Sequence, residues 1–153
     1  MSGLRELYQE VILDHSKAPR NYGKLEAPTG ASHGHNPLCG DTVAIYLRIK
    51  DGVVEDIRFD GRGCAISMAS ASMMTEILKG RSVADVKEMF ERFHGLVTTG
   101  HEACEGGFET ADLDKLVVLA GVREFPMRVK CATLAWHTMK AALAGEADEV
   151  STE

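Results

Sequence analysis

Three of the four cysteines in this chain sit where one element should give way to another. Cys39 lies in Asn36-Pro37-Leu38-Cys39-Gly40-Asp41, just ahead of an alternating apolar run. Cys64 follows Gly61-Arg62-Gly63, where a strand should become a helix. Cys131 comes soon after Phe125-Pro126, near the start of the last helix. The N–H groups at a helix start favour an anionic sulfur, the form that binds metal and attacks sulfur electrophiles. Arg62, Arg128 and Lys130 flank these positions and push the same way. Asp41 is two residues from Cys39, and Gly40 between them lets the backbone turn so that both side chains can face one point. Three sulfurs and one oxygen would complete a four-coordinate site that suits zinc, although an iron–sulfur cluster could use the same thiolates. On spacing alone the alternatives stay open. These are not Cys-x-x-Cys pairs, a buried cysteine is often just a small hydrophobe, and an Asp before a strand is commonly a turn residue.

The histidines and the fourth cysteine could add to such a site. His33 and His35 would share a strand face close to Cys39, so either could ligate a metal. His15 reads as helix surface or a packing contact. His137 falls about 240° around the helix from Cys131 and should not face the same ion. His101 and Cys104 form an isolated His-x-x-Cys, read as a free loop thiol with a secondary redox role as the alternative.

Positioning these residues requires an ordered frame. Leu4, Leu7, Tyr8, Val11 and Ile12 recur at helical spacing, so residues 4–16 read as an amphipathic helix that stops before Pro19. Residues 42–50 alternate apolar and polar as a half-buried strand. Asp51-Gly52 then signals a tight hairpin, and residues 53–59 form the return strand. Residues 31–35 add a weaker strand. Residues 64–79, rich in Ala, Ser and Met, read as a buried helix packed on the sheet, and Gly80 ends it. Ser82 caps a helix over 83–93, and residues 94–108 read as irregular. A short helix covers 112–119, and a last one runs over 127–144. Helix, antiparallel sheet of about three strands, then helices is an α+β order in one domain over 1–153.

The chain has 153 residues and can bury a core without disulfide staples. A formal net charge of −6 argues against a nucleic-acid partner. No secretory signal or membrane-length apolar run is visible, which points to the cytoplasm, where thiols stay reduced and cysteines serve metals or catalysis. Residues 145–153 hold Glu146, Asp148, Glu149 and Glu153 with no cation, and read as a flexible acidic tail.

Three blocks are similar to the signatures of the IscU/SufU iron–sulfur cluster assembly family. They are Asn36 to Asp41, the run from Gly61 through Cys64-Ala65-Ile66-Ser67 to Met74, and Phe125-Pro126-Met127-Arg128-Val129-Lys130-Cys131 through Trp136. The opening Leu7-Tyr8, Ile12-Leu13-Asp14-His15 and Pro19-Arg20-Asn21 resembles that family's first helix and loop. IscU-type scaffolds carry a His before the third cysteine, where this chain has Lys130. Arg128, Lys130 and a probable insertion over 93–113 resemble the SufU-type branch. The resemblance implies a zinc ion bound by Cys39, Asp41, Cys64 and Cys131. It also implies that Cys39 accepts persulfide sulfur from a SufS-type pyridoxal-phosphate cysteine desulfurase, for use by downstream iron–sulfur assembly proteins. The alternatives are a scaffold that builds a 2Fe-2S cluster on the same ligands, and a binding module that zinc merely stabilises.

Overall fold

A computed structural model describes residues 2–36, 40–98, 119, 126–144 and 149–151. Its elements follow the order α1 (Ser2–Lys17), β1 (Gly30–Asn36), β2 (Asp41–Lys50), β3 (Val53–Arg62), α2 (Ala65–Leu78), α3 (Val83–Thr98), α4 (Pro126–Ala144) and β4 (Glu149–Ser151). The architecture is α+β. Strands β1, β2 and β3 are antiparallel neighbours, and Asp51-Gly52 joins the last two as the hairpin signal requires.

Alternation along β2 divides the sheet into two faces. Val43, Ile45 and Leu47 are buried on one, together with Ile57 and Phe59 of β3. Against this face pack α2 and α4. Helix α2 is buried on nearly every side because its small residues allow close approach. The Ser70 hydroxyl donates to the Ala132 carbonyl of α4 and accepts from Trp136 Nε1 at 3.1 Å. Helix α1 lies on α2, where His15 is a buried packing contact, with Nδ1 2.7 Å from Ser72 Oγ.

Three expectations change. The segment from His94 was expected to be irregular, but α3 runs on to Thr98. Phe93, Leu96 and Val97 continue the buried stripe of Val86, Met89 and Phe90, and Phe93 stacks on Trp136 with ring centroids 4.5 Å apart. That apolar periodicity carries the helix through Gly95. The start of the supposed 93–113 insertion is therefore helix. Its remainder, with His101 and Cys104, lies outside the described residues, as does the short helix expected over 112–119 except for buried Leu119.

The second change concerns the acidic tail. Glu149–Ser151 forms a three-residue strand, parallel to β1, with His33 opposite Glu149 and His35 opposite Ser151. An open sheet edge offers backbone N–H and C=O groups whatever the charge of the incoming side chains, and composition does not register this. The sheet thus has four strands in the order β3-β2-β1-β4.

The third change is the depth of Cys131. Helix α4 begins at Pro126, so Cys131 lies about a turn and a half inside it.

Candidate metal centre

The ends of three elements converge at the edge of the core. Asp41 opens β2, is 1% exposed, and sits opposite Asn36 of β1. Cys64 is the N-cap of α2, with extended backbone at φ −67 and ψ 168. Cys131 projects from α4 and is 2% exposed. The ligand atoms of these three side chains all lie within 4.8 Å of one another. Cys39, the fourth expected ligand, lies outside the described residues. The residue after it, Gly40, has φ +73, a left-handed conformation that glycine adopts without strain.

Hydrogen bonds set this geometry. The Cys64 N–H donates to Asp41 Oδ1 at 2.9 Å, and the Cys64 sulfur lies 3.9 Å from Oδ2. The Ser67 N–H donates to the Cys64 sulfur at 3.4 Å, which is the free-amide effect expected of a helix start. Asn36 Nδ2 approaches the Cys131 sulfur at 4.0 Å. Gly63 leaves room for the carboxylate, since a Cβ there would lie 2.7 Å from Asp41 Oδ1.

The donor set fits a divalent metal. Among the described residues no Lys or Arg pairs with Asp41, so this buried carboxylate relies on an amide and a thiol. An anion withdrawn from water is costly without a counter-charge. Tetrahedral zinc would place such donors roughly 3.3–3.8 Å apart, so modest side-chain rotations would close the set.

The described histidines do not join this cluster. His33 and His35 share a face of β1, as expected, but it is the face opposite Asn36 and Asp41. There they line an open cavity of about 330 Å³ with Thr42, Ala44 and Asp60. His137 packs at the α3–α4 interface, with ring centroids 5.3 Å from Phe90 and 5.7 Å from His94. Burial lowers its pKa below the usual imidazole range, and neighbouring His94 and Lys140 add to the effect. Asn36, Gly63 and Ser67 support the cluster yet carried no expected role. The available signal was the position of Asn36 and Gly63 next to the candidate ligands.

Comparison with known proteins fits this arrangement. The NifU-like N terminal domain family matches residues 7–132, a span that holds all four candidate ligands. The chain belongs to this family, that of the IscU and SufU iron–sulfur cluster assembly proteins. Among the family's members, the zinc-dependent sulfurtransferase SufU of Bacillus subtilis (strain 168) is 39% identical over 145 residues, 95% of each chain. The iron–sulfur cluster assembly scaffold protein IscU of Streptococcus pyogenes serotype M1 is 38% identical, covering 94% of this chain and 86% of its own. Among solved family structures, a putative iron–sulfur cluster assembly scaffold protein for the SUF system from Fervidobacterium islandicum AW-1 superposes with a TM-score of 0.79. It is 34% identical and covers 91% of this chain and 98% of its own.

Proposed function

We propose that this chain is a zinc-dependent sulfurtransferase of iron–sulfur cluster assembly. Cys39 accepts persulfide sulfur from a SufS-type pyridoxal-phosphate cysteine desulfurase, in the cytoplasm, for downstream assembly proteins. The observation that carries the reading is the Asp41–Cys64–Cys131 cluster, two of whose members are buried and one half-buried, with donor atoms within 4.8 Å. The 39% identity to a zinc-dependent sulfurtransferase supports it further, and the resemblance to the SufU-type branch, which rests in part on Lys130, implies the same.

Zinc, held by Cys39, Asp41, Cys64 and Cys131, would keep the sulfurs as thiolates and leave the carboxylate as the most readily exchanged ligand. The Cys39 thiolate attacks the outer sulfur of the desulfurase persulfide. A new S–S bond forms as the old one breaks, and the desulfurase cysteine leaves as thiolate, with no net oxidation. Asp41 is oriented for its part by the Cys64 N–H. Gly40, next to Asp41, holds a left-handed φ of +73.

A second reading, a scaffold that assembles a 2Fe-2S cluster on the same residues, is favoured by the nearly equal 38% identity to the Streptococcus pyogenes scaffold protein. Metal analysis and a visible spectrum of the purified protein separate the two. The sulfurtransferase should carry about one zinc per chain and no chromophore. A brown protein with iron and sulfide bands, stable in air and better folded than its zinc form, supports the scaffold instead.

A further inference from the structure

We infer that Asn36 is a positioning residue that makes Cys131 a resident, unreactive sulfur and so leaves exchange to another cysteine. This rests on the reading of the cluster as a metal centre.

Asn36 adjoins two of the candidate ligands, Asp41 and Cys131. Its backbone carbonyl accepts the Gly40 N–H at 2.8 Å, next to Asp41. Its Cα pairs across the sheet with Asp41. Its side-chain Nδ2 reaches the Cys131 sulfur at 4.0 Å. It is also 0% exposed, on the strand face that packs against α4, where an apolar residue would bury at lower cost.

The two sulfurs on helices differ in what their own helix can donate. Cys64 is an N-cap, so the free N–H of Ser67 reaches its sulfur at 3.4 Å. Cys131 lies in the second turn of α4, where backbone N–H groups are committed to carbonyls four residues back. A side-chain donor can reach its sulfur from outside the helix, and Asn36 of the neighbouring strand stands in that place. An N–H directed into a thiolate lone pair draws charge off the sulfur, which lowers its nucleophilicity without displacing it from a metal. The donor to Cys64 is backbone and cannot be mutated away, so Cys64 serves as an internal reference.

The test is alkylation of the zinc-loaded full-length protein, with each cysteine followed by mass spectrometry and zinc measured on the same samples. In Asn36→Leu, which is similar in size but has no donor, the ratio of Cys131 to Cys64 labelling should rise about three- to tenfold over wild type. Asn36→Ala is the second variant, in case leucine disturbs folding. Wild-type protein supplies an independent readout. With NMR-active cadmium in place of zinc, the Asn36 side-chain amide protons should show coupling to the metal through the Cys131 sulfur. An unchanged labelling ratio in a folded, zinc-loaded variant overturns the inference, as does absence of that coupling. If wild type binds no zinc, the metal-centre reading itself fails.

Discussion

Asp41 Oδ1 accepts the backbone N–H of Cys64 at 2.9 Å, so the first residue of β2 and the N-cap of α2 are joined directly. The bond gives Asp41 two roles, as an acceptor for a helix-start amide and as a candidate metal ligand. Asp41→Ala removes both. Unfolding free energy of the metal-free protein should fall by about 1–3 kcal/mol, the cost of leaving a buried donor unsatisfied. Zinc should also bind more weakly although all three thiols remain. Asp41→Asn keeps an acceptor oxygen and should recover most of the stability but less of the zinc affinity. Denaturant titration and chelator competition separate the effects. If Asp41→Ala matches wild type in both, Asp41 is only a turn residue.

Gly63→Ala tests the same carboxylate from the other side. A Cβ at this position would sit 2.7 Å from Asp41 Oδ1 and 3.0 Å from its Cγ, so the carboxylate must move. Zinc affinity should drop about tenfold, as for other displaced ligand supports, while circular dichroism stays that of wild type. Unchanged zinc affinity would show that the Asp41 carboxylate has freedom the geometry does not suggest.

Much of this frame was legible in the sequence because periodicity and turn chemistry agree with the tertiary packing. Val43, Ile45 and Leu47 alternate and do face the core, and Asp51-Gly52 does turn the hairpin. Cys64 was readable as a helix start because Gly61 and Gly63 punctuate the chain just before it. The end of α3 was not read although Leu96 and Val97 keep the spacing of Val86, Met89, Phe90 and Phe93, because the packing that buries this stripe, such as Phe93 on Trp136, is with residues distant in sequence. The relation between Asn36 and Cys131 also depends on long-range packing, here strand β1 against helix α4. The face of His33 and His35 relative to Asp41 is a matter of sheet register, set by the Asn36–Asp41 pairing.

Chelation should lower the melting temperature of wild-type protein, because an ion bound only by the native state stabilises it. Cys64→Ala and Cys131→Ala should melt near the chelated wild type and show no further shift with chelator. Differential scanning calorimetry with and without chelator checks this. A wild-type curve that chelator leaves unmoved would mean the cluster is not coupled to the fold.

His137 gives a pH dependence at the α3–α4 interface. Burial, followed by His94 and Lys140, depresses its folded pKa below the unfolded imidazole value. The folded state therefore binds fewer protons than the unfolded chain between those two values. Its contribution to stability is complete above the unfolded value of about 6.5 and is lost as pH falls through the folded one. Glu91 lies 3.9 Å from Lys140, whose ammonium stands 4.8 Å over the Phe90 ring. Replacing His137 with Gln should flatten the fall in melting temperature as the pH drops below about 6.5. An equal fall in the variant and wild type would assign the titration elsewhere.

Mapping of the transferred sulfur tests the central claim most directly. Zinc-loaded protein is mixed with a SufS-type cysteine desulfurase and cysteine, then digested without reductant, and each cysteine peptide is weighed for one added sulfur atom. The mass increase should fall on Cys39, vanish in Cys39→Ser, and persist in Cys104→Ser. A Cys39→Ser protein that still gains sulfur, or a gain that depends on Cys64 or Cys131 alone, contradicts the account.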